Sequence, residues 1–261
     1  MDLHFDGKIA VVTGASRGIG LAVTERFAES GAHVVAGART MSERIDELRS
    51  AGSVTFVPGN LAGVEAPTEL VAAASRLGGV DILINNAGAV TPRPGGFTTV
   101  TDEDWEASWT LGMMAAVRTT RAAIPAMLGR GGGAIVTVGS VNAFFPDPGV
   151  VDYSAVKAAL TNLTKALSKE FGPQGIRANS ISPGPVRTDL WLGSGGVAET
   201  VAQASGTSAQ EVADQAVAGT PTGRFTTPEE VADLALFLAS DRAANITGAD
   251  MRIDGGFITT V

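Results

Sequence analysis

Short, nearly unbroken apolar runs rich in β-branched residues alternate along this chain with longer stretches whose apolar positions recur at helical spacing. The runs that read as strands are Ile9–Thr13, His33–Ala38, Val54–Val57, Ile82–Asn85, Ala134–Val138, Ala178–Ile181 and Met251–Ile253. A run such as Ile9-Ala10-Val11-Val12 carries no polar alternation, which suits a parallel strand covered on both faces. Between the runs, Leu21–Ser30, Thr68–Leu77, Asp102–Leu128, Ser154–Phe171 and Pro228–Ala239 read as helices. The last begins with Thr227-Pro228-Glu229-Glu230, a capping box with proline at the first helical position. Gly129–Gly133 reads as a tight helix-to-strand turn. This β-α alternation predicts right-handed crossovers and one α/β domain, a doubly wound seven-stranded parallel sheet with helices on both faces. Asp189 to Gly223 breaks the rhythm, with no strand pattern and with Gly193, Gly195 and Gly196 near its start. A mobile substrate-binding segment is expected there.

Composition mainly excludes. The 261 residues are 44% hydrophobic, ample for a core under two helical layers. Nineteen basic against 27 acidic residues give a net charge of −8, the wrong sign for a nucleic-acid surface. No cysteine is present, so thiolate catalysis, disulfides and Cys-ligated metals drop out, and a cytoplasmic setting fits. The opening Met1-Asp2-Leu3-His4-Phe5-Asp6 lacks the basic-then-apolar pattern of a signal peptide. No apolar stretch approaches the ~18 residues of a membrane span. His4 and His33 are the only histidines and lack metal-ligand spacing, so neither a zinc site nor a Ser-His-Asp triad is expected.

The candidate chemistry starts directly after the first strand. Thr13-Gly14-Ala15-Ser16-Arg17-Gly18-Ile19-Gly20 runs into a helix, so its glycines let the backbone approach a pyrophosphate while the helix N-terminus offers free N–H groups. Further along come Asn85-Asn86-Ala87-Gly88, Ser140, Tyr153-Ser154-Ala155-Val156-Lys157 and Pro183-Gly184-Pro185-Val186-Arg187-Thr188. In this order, and with spacing Gly-x-x-x-Gly-x-Gly in the first loop, the chain resembles the short-chain dehydrogenase/reductase family from Lys8 to Asp254-Gly255-Gly256. The resemblance implies a Rossmann-type domain that transfers a hydride between a nicotinamide dinucleotide and a carbonyl or secondary alcohol. It implies that Gly14, Ser16, Arg17, Gly18, Ile19 and Gly20 hold the pyrophosphate side. Asn60 and Leu61 would lie at the adenine, and Asn86, Ala87 and Gly88 beside the cofactor. Pro183, Gly184, Val186 and Thr188 would hold the nicotinamide end.

Cofactor choice turns on one phosphate. An NAD enzyme usually carries an acid at the end of the second strand, about 20 residues after the glycines. Ala38 stands there, followed by Arg39, with Arg17 in the glycine loop on the same side by family analogy. Two guanidinium groups and no carboxylate favour the 2′-phosphate, so NADP(H) is expected over NAD(H).

Tyr153 and Lys157 are four apart, hence on one helix face. A lysine ammonium at about 4 Å, with effective dielectric ~20, would lower the phenol by roughly three pKa units, toward neutrality. Tyr153 would then exchange a proton with the substrate oxygen, Ser140 would hold that oxygen, and Lys157 would also bind the nicotinamide ribose. The family usually adds an Asn in the preceding long helix, and counting from Trp105 and from Arg121 puts that place at Gly112. Met113 and Met114 adjoin it and read as core residues; if either has expanded into the space, a larger side chain at 112 would clash. The departure leaves a second reading open, an NADP(H)-binding regulator or scaffold with weak or lost turnover. Phe144, Phe145 and Trp191 flank the motifs and suggest a fairly apolar ketone or alcohol. By resemblance the helices Asp102–Leu128 and Ser154–Phe171, with Ala155, Ala158 and Ala159, would pair in a homotetramer.

Overall fold

The computed structural model describes residues 3–260; Met1 and Asp2 of the opening segment lie outside the described residues. Seven parallel strands form one sheet: β1 (Ile9–Thr13), β2 (His33–Ala38), β3 (Val54–Pro58), β4 (Ile82–Asn85), β5 (Gly133–Val138), β6 (Ile176–Pro183) and β7 (Asp250–Ile253), in the order β3-β2-β1-β4-β5-β6-β7. The helices are α1 (Gly18–Glu29), α2 (Glu43–Ser50), α3 (Glu65–Arg76), α4 (Asp102–Trp109), α5 (Ala115–Gly129), α6 (Val151–Phe171), α7 (Asp189–Leu192), α8 (Val197–Ser205), α9 (Ala209–Ala218) and α10 (Pro228–Ala239).

Strand alternation sorts the core into two layers. Ala10 and Val12 of β1 point to one face, where Val23 and Phe27 of α1 meet Val231, Ala235 and Leu238 of α10. Ile9 and Val11 point to the other, where α3 supplies Leu70 and Ala74 and α5 supplies Ala123 and Met127. At the amino-terminal edge Asp81 accepts from the Ile9 N–H at 2.8 Å and from Arg130 Nε at 2.9 Å, tying the start of β1 to the turn that enters β5. That turn is left-handed at Gly131 (φ 86°), which only glycine adopts without strain.

Boundaries shift where polar or proline residues mask the pattern. Helix α3 starts at Glu65, ahead of the expected Thr68, because Pro67 sits in the first turn, where its missing N–H would find no helical partner in any case. Strand β6 extends from Ile176 to Pro183 although Asn179, Ser180 and Ser182 interrupt its apolar run. Asn179 Nδ2 donates to the Ile246 carbonyl at 2.8 Å and Ser182 Oγ to Asp250 at 2.8 Å, so these buried polar groups are satisfied. Helix α2 buries only Ile45, so apolar periodicity does not announce it; the Ser42 cap does. The strandless segment from Asp189 to Gly223 is helical, made of α7, α8 and α9.

The largest departure from the predicted elements is in Asp102–Leu128. A π-helical turn, Thr110–Met114, separates α4 from α5, and Gly112 lies buried inside it. Such bulges often mark functional sites. A Cβ placed on Gly112 would stand 2.5 Å from Val156 Cγ1 of α6. The space next to Gly112 is therefore taken by Val156, not by the two methionines; Met113 packs at the edge of the same small cluster, with Ala116, Val156 and Leu160. Gly112 and Val156 form a matched pair, and the match has a sign. Gly112→Ala should lower stability by about 1–3 kcal/mol through overpacking. In a Val156→Ala background the same change should stabilise by up to about 1 kcal/mol, the ordinary helix preference for alanine. Chemical denaturation of the four proteins in this cycle measures the coupling.

Candidate active site

The sheet reverses direction between β1 and β4: the chain winds outward to β3, then crosses back to β4, so the carboxyl ends of these two strands part and leave a crevice. Side chains brace the crevice. Thr13 Oγ1 accepts from the N–H groups of Asn86 (2.9 Å) and Ala87 (3.0 Å), and Asn86 Nδ2 donates back to the carbonyls of Thr13 (2.9 Å) and Gly14 (3.2 Å). The glycine loop is pressed against this brace. Gly14 (φ 67°) and Gly18 (φ 53°) are left-handed, and a Cβ on Gly20 would collide with the Gly14 carbonyl and with Asn86 Nδ2. Loop and helix thus meet with bare backbone, and Arg17 at the start of α1 makes no side-chain cap, leaving the first-turn N–H groups free for an anion.

One cavity of about 1290 Å³ opens from this crevice. Its wall includes Gly14, Ser16, Arg17, Gly18, Ile19 and Gly20 from the loop, Ala38 and Arg39 from the end of β2, and Asn60 and Leu61 beyond β3. It also includes Asn86, Ala87 and Gly88 beyond β4, Ser140, Tyr153 and Lys157, and Pro183, Gly184, Val186 and Thr188 after β6. The structure therefore brings every sequence-predicted site residue to one cavity. Arg17 and Arg39 are exposed and make no ion pair among the described residues. Asn60 Oδ1 accepts from the Ala62 N–H at 3.2 Å, so its acceptor already serves the local turn.

Ser140 follows β5, and Tyr153 and Lys157 project from the first turns of α6. The Ser140 hydroxyl lies beside the phenol. Asn142 locks that serine: its N–H donates to Ser140 Oγ (3.2 Å), its Oδ1 accepts from the same hydroxyl (3.3 Å), and its Nδ2 donates to Ser154 Oγ (3.3 Å). Lys157 is buried and donates to the Val138 carbonyl at 2.8 Å, with Nζ 5.4 Å from the centroid of the Tyr153 ring.

The electrostatics correct one expectation. Burial pushes the Tyr153 phenol above its ordinary value, offset only in part by the Ser140 hydroxyl. Burial also drives the Lys157 ammonium down from 10.5 to about 8. The phenol is not brought toward neutrality here, because the ammonium is committed to the Val138 carbonyl and is itself only weakly held in its charged form.

The other half of the cavity carries an apolar wall, with Asp147, Asp189 and Gln215 among the polar groups that also line the cavity. Trp191 packs edge-to-face on Phe225 (5.7 Å), and Phe145 on Phe257 (5.8 Å). Leu111, Val197, Val201 and Val212 complete that wall, the last three from α8 and α9. Phe144 lies outside it, stacked instead with Arg252 (5.3 Å). Sequence reasoning missed Asn142, Arg93 and Phe257. Asn142 stands two residues after Ser140 and could have been suspected there; nothing in the sequence marks the other two.

A family model described as enoyl-(acyl carrier protein) reductase matches residues 14–258. An uncharacterized oxidoreductase of Bacillus subtilis is 33% identical over the full length of both chains. The human dehydrogenase/reductase SDR family member 4 is 35% identical, covering 95% of this chain and 87% of that protein. Among solved structures, L-sorbose reductase of Gluconobacter frateurii, complexed with NADPH and L-sorbose, superposes with a TM-score of 0.90 at 37% identity, all of both chains being covered. A putative NAD(P)-dependent gluconate 5-dehydrogenase from Beutenbergia cavernae with bound NADP gives 0.86 at 34%, again over both whole chains. With its sheet order, its crevice and these relatives in agreement, the chain belongs to the short-chain dehydrogenase/reductase family and is an oxidoreductase of that family.

Proposed function

We propose that this chain is an NADP(H)-dependent reductase of fairly apolar ketones, with Tyr153 as the proton donor. The observation that carries the reading is the convergence of Ser140, Tyr153 and Lys157 on the cavity that the glycine loop also lines. The bare-backbone cradle at Gly14, Gly18 and Gly20 fits a pyrophosphate. Arg17 and Arg39 fit a 2′-phosphate, since both border the cavity without a carboxylate partner and Ala38 leaves no acid to repel it. Two related structures contain NADPH or NADP, which supports the same choice.

A dinucleotide held by this cradle would supply the hydride. The protein residues handle the substrate oxygen: the Ser140 hydroxyl turns from Asn142 Oδ1 to donate a hydrogen bond that orients it, and Tyr153 gives it a proton. A phenol held above its ordinary value by burial is protonated at neutral pH, the state required of a donor. Lys157, a short turn further along α6, is placed to hold the ribose and to recharge the phenol. Arg93, which borders the substrate half, is paired with Asp104 and Asp152. An uncharged ketone with an aromatic or branched aliphatic body suits that wall. The exposed Ala155 and Ala158 of α6 and the partly exposed Trp109 of α4 leave an outer face suited to pairing of subunits, in line with a homotetramer.

Three measurements test this reading. NADPH should bind about tenfold or more tighter than NADH, the contribution expected of one charge-assisted contact, and Ala38→Asp should narrow or invert the ratio. Equal affinity in the unmodified protein refutes the two-arginine argument. In a ketone panel with NADPH, Tyr153→Phe should lose at least about a hundredfold in turnover while keeping NADPH affinity within a few-fold. Undiminished reduction by that variant would remove Tyr153 from the mechanism. The third test concerns Lys157, whose folded-state value of about 8 lies below its ordinary 10.5. Below pH 8 both states carry the proton and the fold bears the whole penalty; between 8 and 10.5 the unfolded chain binds more protons, so stability rises with pH. Lys157→Met should therefore be more stable than the parent at pH 7, by up to about 3 kcal/mol, and the gap should close as pH climbs past 10.

A further inference from the structure

Beside the cavity, and outside the residues that act on substrate, lies a buried ionic cluster centred on Arg93. Its side chain is 12% exposed, and it stands in the segment that follows β4. Nη2 donates to Asp152 Oδ2 at 2.6 Å, Nε to Asp152 Oδ1 at 3.4 Å, and Nη1 to Asp104 Oδ1 at 2.8 Å. Ser108 Oγ of α4 also donates to Asp152, at 2.6 Å, and the Arg93 N–H donates to the Gly149 carbonyl at 2.7 Å. Asp152 is 1% exposed and belongs to the first turn of α6. Asp152 immediately precedes Tyr153 in that turn. One guanidinium thus joins the segment after β4, helix α4 and the backbone that carries the phenol.

Buried charges are a poor device for stability alone, since packed apolar groups do as well without the desolvation penalty. What a fully paired fork provides is a fixed geometry. We propose that Arg93 is a positioning residue for Tyr153, acting through Asp152 to hold the phenol oxygen beside Ser140. The proposal rests on Tyr153 being the proton donor, and its test is arranged so that the two can fail separately.

Tyr153 is the only tyrosine in the chain, so phenolate absorbance reports on it alone, with or without turnover. The titration is followed by alkaline pH jump, read before unfolding, in the parent, Arg93→Met, Arg93→Lys and Asp152→Ala. Loss of the clamp removes the Ser140 hydroxyl from the phenol, so Arg93→Met and Asp152→Ala should both raise the midpoint, by about half a pH unit or more. Charge alone predicts opposite shifts, because the first variant removes a positive group and the second a negative one. Opposite shifts, or none, overturn the proposal. Arg93→Lys should lie between the parent and Arg93→Met. Should Arg93→Met fail to fold with Asp152 left bare, Asp152→Ala and Arg93→Lys decide the matter, since neither leaves a buried charge alone. With NADPH and a ketone that the parent reduces, kcat should fall about tenfold or more in Asp152→Ala while KM stays within about twofold. Unchanged kcat in a folded Asp152→Ala also overturns it. A parent that reduces no ketone defeats the proposed function instead, and the titration still judges Arg93.

Discussion

Everything that acts in this molecule depends on the parting of β1 and β4. Two parallel strands whose crossovers leave in opposite directions cannot both be covered at their carboxyl ends, and the exposed backbone there must find partners. Here it finds them in Thr13 and Asn86, which exchange hydrogen bonds across the gap and present the glycine loop to the open side. The loop then packs so tightly that a side chain on Gly20 has no room. The crevice proposed to receive a dinucleotide is thus a direct product of strand order, and Thr13 and Asn86 of the motifs beside it also close the sheet.

A second constraint is desolvation. The site buries a lysine and encloses a phenol, and the lysine ammonium, 5.4 Å from the centroid of the phenol ring, is committed to the Val138 carbonyl. Burial therefore works against both charged forms at once, leaving a neutral phenol and an ammonium close to its titration point. The charges that are fully compensated lie one layer out, in Arg93, Asp104 and Asp152. Desolvation thus falls on Tyr153 and Lys157, while the charges around Arg93 are paired.

The sheet and most of the cofactor side could be read from the sequence because they rest on local signals: β-branched runs, a glycine loop between strand and helix, a Tyr and Lys one turn apart. Helix α10 begins where its capping box says it should, at Pro228. What could not be read depends on contacts distant in sequence. Arg93 meets Asp152 across 59 residues, and Phe257 reaches Phe145 from the far end of the chain. The partner of Gly112 is Val156, a residue on another helix, which nothing near position 112 in the sequence marks. The phenol departs from the sequence expectation for a similar reason. A spacing of four places Lys157 on the right face but does not reveal that the Val138 carbonyl competes for its ammonium.

The π-helical turn at Thr110–Met114 has a bearing on how this helix pair could change by insertion or deletion. A wide turn holds one residue more than the α-helix it interrupts, and each residue of an α-helix turns the chain by about 100°. Loss of a single residue from this turn would heal the helix into one rod without disturbing α5. Helix α4 would then be wound about its own axis by that angle, and Ser108 and Asp104 would swing away from Asp152 and Arg93. The surplus residue acts as a phase adjuster: it lets α5 keep its apolar stripe on the sheet while α4 turns a polar one toward the head of α6.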